Sequence, residues 1–594
     1  MLMKTFQTVG RMPISLTVPA IAILLVVFGI PIILLFLTSV NAPAFSLANY
    51  HAFFGQPANV RVLFQTVEIS VVATAICAII GYPTAYFIVA APKQLRVALI
   101  VLVIIPFLTS GLVRTYAWIV ILGDRGLINN MLLDLGLISS PLPLIYNRMA
   151  IYIGMVHIML PMMILPLVSV MMGIDKSLMA AARSMGARPL TAFWRVFFPL
   201  SLPGVRSGAL LVFVLCLGFY ITPAALGGLR DAMLSTFIAS QVSTAFDMAR
   251  IAASAFILLA VAVITLSMFG LDLSHAQGRA AQPARKPWLS LPSSFGTLKR
   301  WFNELLTPIR AKRWIAQLYQ AGDNSRWPKI VGTAFIVLVM VYLLFPGLVV
   351  VIMSFSAGMF LEFPPSGLSL QWYRSFFGDP SWKGAAWTSI QIGVAVTILS
   401  TIVGTLAAYG LSRTLPRLRG FLTMVILTPI TFPVIVVGIA TYLGLIKLGL
   451  LGSNTGIVLA HSIGAIGYVV VIVSATLANF DRRLEDAAMS MRAGPFQTFV
   501  RVTLPLIRPG IIGGAVFAFL HSFDEVVITS LIGGLSIRTL PLKMWENIRH
   551  QIDPTIAAVA SLLMLVPVLC LIVLYVTGWR STLSPQRARP DPAT

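Results

Sequence analysis

Ionisable side chains inside apolar segments are where chemistry is to be sought first, because each costs about 2.5–3.5 kcal/mol to insert into hydrocarbon. His521, Asp524 and Glu525 form such a group. Their spacing of i, i+3 and i+4 would place all three on one face of a helix. Counting about 1.5 Å per residue from Ile511 puts Asp524 roughly two-thirds of the way across a membrane. A trio of this kind either receives an alkylammonium ion or holds a helix bundle together as an internal His–carboxylate pair. Shifting the sequence by 306 residues sets Gly218 and Phe219 opposite the carboxylates, with Tyr220 adjoining. Carboxylates on one side and aromatic rings on the other suit an organic cation, through salt bridge and cation–π contact. Glu68 is a further candidate for the substrate path, or a rim carboxylate facing headgroups. Arg114 reads as a side chain snorkelling to the interface, and His157 and His461 as packing residues.

Other chemistries find no residues here. The sequence has no G-x-x-x-x-G-K-[ST] phosphate loop, no G-x-S-x-G elbow and no H-E-x-x-H pair, so neither ATP hydrolysis nor a hydrolase is expected of this chain. Cys77, Cys216 and Cys570 each lie in an apolar run, without the spacing of a disulfide or a metal site. No metal and no bound cofactor are expected.

The elements that must position the candidate residues are membrane spans. Of 594 residues 58% are hydrophobic and only 10% charged, and the mean hydropathy is +0.92, which excludes a water-soluble enzyme. Twelve apolar runs approach the roughly 20 residues needed to cross a bilayer. They begin near Ile14, Thr66, Val97, Ile151, Gly208 and Ile251, and again near Ile330, Thr388, Phe421, Ile457, Ile511 and Thr555. The first is too long for a cleaved signal and reads as a retained span. The formal charge of +23 is spread over loops between spans rather than one soluble face, so nucleic acid is not an expected partner. The basic excess falls on one side when both termini are cytoplasmic. The expected fold is thus an all-α integral membrane protein with a first transmembrane domain at 1–270, a basic cytoplasmic linker at 271–329 and a second transmembrane domain at 330–594. Within the linker, Leu298 to Gln320 mixes aromatic and aliphatic residues with Lys and Arg, as an interfacial helix contacting lipid does; a plain tether is the other reading.

The 306-residue shift superposes Asp175–Gly208 on Asp481–Gly514 with 16 of 34 positions identical. Self-similarity at a fixed offset marks a duplicated structural unit. Six spans per unit give both halves the same orientation, related by an axis along the membrane normal. The repeated segment lies between the fourth and fifth spans of each half. It reads as two short helices with small residues on one side, which let another surface approach closely, so it is expected to dock a two-fold symmetric partner.

The segment Met179-Ala-Ala-Ala-Arg-Ser-Met-Gly-Ala187, with Phe193, Arg195 and Pro199 following, resembles the EAA loop of permease subunits of ATP-binding-cassette importers. So does Glu485-Asp-Ala-Ala-Met-Ser-Met-Arg-Ala493. The resemblance implies a type I importer fold of two six-helix bundles. It also implies that Ala181, Ala182, Gly186, Ala187 and Arg195, with Asp486, Ala487, Ala488, Ala493 and Arg501, couple the chain to two copies of a cytoplasmic ATPase carrying ATP and Mg. An extracytoplasmic substrate-binding protein and a place in the bacterial cytoplasmic membrane follow from the same likeness. This sequence departs from the loop pattern at Ala180 and Asp486, where the family has Glu, and at Arg492, where it has Gly. Arg114-Thr-Tyr-Ala-Trp118, Phe219-Tyr-Ile-Thr-Pro223, Ser522-Phe-Asp-Glu525 and Asp553-Pro-Thr-Ile556 are similar to segments of spermidine/putrescine-type permeases, implying a polyamine substrate. Permeases for phosphonates, opines, iron or sulfate share much of the pattern, and a twelve-span secondary transporter is the alternative outside this class.

Overall fold

A computed structural model of the chain describes residues 13–244, 247–268, 327–359, 362–534, 536–550 and 554–582. The basic linker, its amphipathic segment and Asp553 lie outside the described residues. Within them the regular structure is helical, apart from an isolated bridge between Ser356 and Leu368.

The principal helices fall into two matching sets of ten. The first set is α1 (Ile14–Ser39), α2 (Pro57–Ala90), α3 (Lys93–Leu108), α4 (Gly111–Leu122), α5 (Arg148–Met172), α6 (Lys176–Ser184), α7 (Phe198–Leu217), α8 (Ile221–Leu226), α9 (Leu234–Thr244) and α10 (Met248–Met268). The second is α11 (Trp327–Ser354), α12 (Pro380–Ser412), α13 (Pro416–Thr431), α14 (Val434–Lys447), α15 (Asn454–Ala478), α16 (Arg483–Ser490), α17 (Leu504–Phe523), α18 (Val527–Ile532), α19 (Leu540–His550) and α20 (Thr555–Thr582). The match extends to capping chemistry. Asn147 caps α5 by accepting from Ala150 N at 2.9 Å, and Ser453, 306 residues on, caps α15 from Gly456 N at 3.0 Å. Leu234 N donates to Thr66 Oγ1, and Leu540 N to Ser389 Oγ, both at 2.7 Å.

Each of the twelve apolar runs has a helical counterpart. Nine described helices are long and apolar enough to cross a membrane, and the last run opens α20, whose apolar stretch Thr555–Cys570 is shorter. The runs near Val97 and Phe421 are not straight spans. They are the pairs α3–α4 and α13–α14, bent by 91° and 99°. At the first break Thr109 and Ser110 are extended (ψ 149° and 133°) and the Ser110 hydroxyl caps α4. At the second, Phe432 precedes Pro433 and is held extended (φ −85°, ψ 146°), as a residue before proline prefers. Broken helices are tolerated at membrane depth only where protein or a cavity satisfies the freed backbone, and α4 is buried along its whole length from Leu112 to Leu122.

The halves interlock. α1 packs on α14, where a Cβ on Gly444 would lie 2.5 Å from Pro31 Cγ, and Phe28 meets Phe432 edge-on at 5.5 Å. Reciprocally, α11 packs on α2 and α4, and Tyr342 donates to the Ile153 carbonyl of α5 at 2.7 Å. The first span of each half is therefore built into the other half.

Candidate functional site

Where α7 and α17 end, each meets the broken span of the opposite half. Gly218, just past α7, lies so close to Pro433 that a Cβ would fall 2.9 Å from its Cα. Asp524, just past α17, meets Ser110 and Gly111 at the start of α4. Between these crossings lies a cavity of about 270 Å³. Phe219 and Gly218 come to it from the first half; Phe432, Tyr468, His521, Asp524 and Glu525 come from the second. Mostly apolar walls with a few convergent polar groups at a domain interface are what a small-molecule site requires.

His521, Asp524 and Glu525 do meet at this cavity, but not on one helix face. α17 stops at Phe523, Asp524 is its C-terminal flanking residue and Glu525 begins the turn into α18. Each carboxylate serves a helix N-terminus. The Ser110 hydroxyl donates to Asp524 Oδ1, and the Gly111 N–H donates to Oδ2 at 3.3 Å. Glu525 Oε1 accepts from Ile528 N at 2.9 Å, at the start of α18. The physical cause is the set of unpaired N–H groups that any helix start carries, reinforced by the positive end of its dipole. His521 packs against the Tyr468 ring at 5.1 Å between centroids. Its ring occupies the place of the side chain that Gly464 lacks, since a Cβ there would stand 2.4 Å from Nε2.

Three expectations need correction. Arg114 does not snorkel: it is 7% exposed and its Nη1 donates to the Ile158 carbonyl at 3.4 Å. Helix α4 starts inside the protein because its span is broken, which carries Arg114 inward. Glu68 does not line the cavity. It pairs with Arg148 at 3.0 Å, and Arg148 also holds Asp231 at 3.2 Å, so Glu68 is a half-exposed rim residue tying α2 to α5. Tyr220 is turned away from the cavity and packs on Trp545 at 5.7 Å. His461 is buried between Ser522 Oγ at 2.9 Å and Thr529 Oγ1 at 3.0 Å, and His157 meets the Leu343 carbonyl at 3.1 Å.

The duplicated loops share one geometry. α6 and α16 each end in a Schellman turn, with Ala187 N bonded to Ala182 O at 3.0 Å and Ala493 N to Ala488 O at 3.1 Å. Gly186 (φ 84°) and Arg492 (φ 64°) occupy the same left-handed position, so the change from Gly to Arg leaves the loop's shape intact. A π turn follows in both copies, Phe193–Phe197 and Phe499–Thr503. Ala181, Gly186 and Arg195, and likewise Asp486, Ala487 and Arg501, are exposed, while Ala187 and Ala493 are half-buried. Ala182 and Ala488 instead face inward, 7% and 5% exposed, and let each helix lie close on its own bundle.

This arrangement has counterparts among known proteins. The family described as "binding-protein-dependent transport system inner membrane component" matches residues 78–277 and again 400–578. The spermidine/putrescine transport system permease protein PotB of Haemophilus influenzae is 37% identical over 196 residues, which cover 33% of this chain and 68% of that protein. The PotB of Escherichia coli K12 is 36% identical over 197 residues, 33% of this chain and 71% of its own length. The putrescine transport system permease protein PotI of the same strain is 32% identical over 231 residues, 38% and 82% respectively.

Proposed function

The chain belongs to the family of inner membrane components of binding-protein-dependent transport systems, and from that membership we propose that it forms, by itself, both permease halves of an ATP-driven importer of polyamines. It is a multi-pass membrane permease rather than an enzyme. The observation that carries the reading is the double family match in one chain, together with relatives that move spermidine and putrescine. A solute released by a binding protein on one face enters the cavity between the halves. Two cytoplasmic ATPase subunits engage α6 and α16, and their closure is passed through the π turns to α7 and α17, whose far ends form the cavity wall. Both termini lie on the ATPase side of the bacterial cytoplasmic membrane.

The cavity supports an amine substrate in a narrower way than its three ionisable residues suggest. Both Asp524 oxygens are engaged, by Ser110 and Gly111, whereas Glu525 is bonded to Ile528 N through Oε1, so we assign Glu525, with the Phe219, Phe432 and Tyr468 rings, to meet an ammonium. Reconstitution of the chain in proteoliposomes with its ATPase and binding protein tests the reading. Labelled putrescine or spermidine should accumulate only with ATP and binding protein together, and excess unlabelled polyamine should compete. Uptake of phosphate or sulfate under these conditions with no uptake of amine would overturn the substrate assignment.

A further inference from the structure

The two coupling loops have one backbone but are fastened to their bundles by different chemistry. In the second half the carboxylate of Glu485, on α16, is buried. Its Oε2 lies 2.5 Å from Nη2 of Arg413, the residue just past α12. Thr503, the last residue of the π turn, donates its hydroxyl to Oε1, and Tyr409 OH reaches the same atom at 3.5 Å. The Arg413 guanidinium rests 5.0 Å from the Tyr409 ring centroid. Arg482 adds a bond to the Ser412 carbonyl. One carboxylate thus gathers the end of a span, the coupling helix and the π turn.

The first half holds the same place without charge. The loop offset of 306 sets Met179 opposite Glu485 and Phe197 opposite Thr503; the offset of 323 that aligns α2 with α12 sets Ala90 opposite Arg413 and keeps Tyr86 for Tyr409. Here the Phe193 and Phe197 rings each stand 5.3 Å from Tyr86, and Met179 packs into the same apolar cluster. Both ends of the ion pair are missing together. That is what the energetics require, since a buried charge left without its partner is strongly destabilising whereas an apolar replacement of the whole pair is tolerated.

We propose that Glu485 and Arg413 form a latch that positions the second coupling loop, making it the stiffer of the two routes from ATPase to membrane. Both are positioning residues, acting through α16, and the inference rests on the permease reading. A short ion pair with charge-assisted hydrogen bonds has direction as well as strength, so a push on α16 is delivered to α12 in a fixed orientation. Aromatic and methionine contacts in the first half keep their energy over small displacements and let α6 slide.

The test transplants the first half's solution into the second. In the reconstituted complex, Arg413→Ala and Glu485→Met should each lower the amine imported per ATP hydrolysed by about tenfold. The double variant should recover to within about threefold of the parent. A second readout is independent of transport: spin labels at Ser490→Cys and Arg417→Cys, in a chain with its three cysteines replaced by alanine, report the distance from α16 to the start of α13. Each single variant should broaden that distribution and the double variant should narrow it again. A double variant no better than the product of its singles, or single variants with parental import per ATP and parental distances, would overturn the latch. If the parent complex imports no amine at all, the function reading fails, and the label distances still decide whether the latch exists.

Discussion

Asp524 and Glu525 are neighbours in the chain, yet they cap different helices, one in each half of the molecule. Their neutral variants should therefore fail differently. Asp524→Asn keeps an acceptor for only one of the two donors at the start of α4 and should lower stability by about 1.5–3 kcal/mol, the worth of a hydrogen bond to a charged group, read as an earlier thermal unfolding of the purified chain. Glu525→Gln keeps a carbonyl for Ile528 N but removes the charge at the cavity wall. Its unfolding temperature should stay parental while the half-saturating amine concentration rises about tenfold, as expected for losing roughly 1.4 kcal/mol of ion pairing. Parental half-saturation would remove Glu525 from the substrate path. The residue types of this site were legible in the sequence because charge inside an apolar run is conspicuous. Their partners were not, since Ser110 stands 414 residues before Asp524 and no glycine or proline announces the end of α17.

At the scale of elements, hydropathy locates every span but is blind to direction within one. The runs near Val97 and Phe421 each read as one apolar run, and their right-angle bends depend on Pro106, Ser110, Pro429 and Pro433, whose effect mean hydropathy does not register. The Schellman turns show the opposite case, where a departure in sequence leaves no departure in form. Arg492 holds a left-handed backbone that costs a residue with a Cβ about 1–2 kcal/mol. Arg492→Gly should relieve that strain and slow hydrogen exchange at the last amides of α16 by about threefold or more. Gly186→Ala, in open space, should speed exchange at the end of α6 by a similar factor. Faster exchange in Arg492→Gly would mean that the Arg492 side chain holds the turn by contacts that outweigh its strain.

For the whole molecule, the proposed reading of two permease bundles in one chain predicts the stoichiometry of the assembly. The mass of the detergent-solubilised complex should correspond to one copy of this chain with two ATPase subunits, and two copies of the chain per ATPase pair would contradict the single-chain pore. The duplication itself was legible because the repeated loops kept 16 identities in 34 positions; the interlocking was not, because apolar faces carry no address. That interlocking has a consequence in time. α1 leaves the ribosome first, but α14, on which it packs, begins only at Val434. At about 5–20 residues per second, the intervening stretch of roughly 400 residues takes some 20–80 s to synthesise. Throughout that interval α1 is held within its own half, by α10, where Phe36 meets Phe256 edge-on at 5.4 Å, while the face that α14 covers stays open to the bilayer. Translating both bundles from one message ends the wait at a fixed moment and beside the right neighbour, where separate subunits would have to find each other by diffusion.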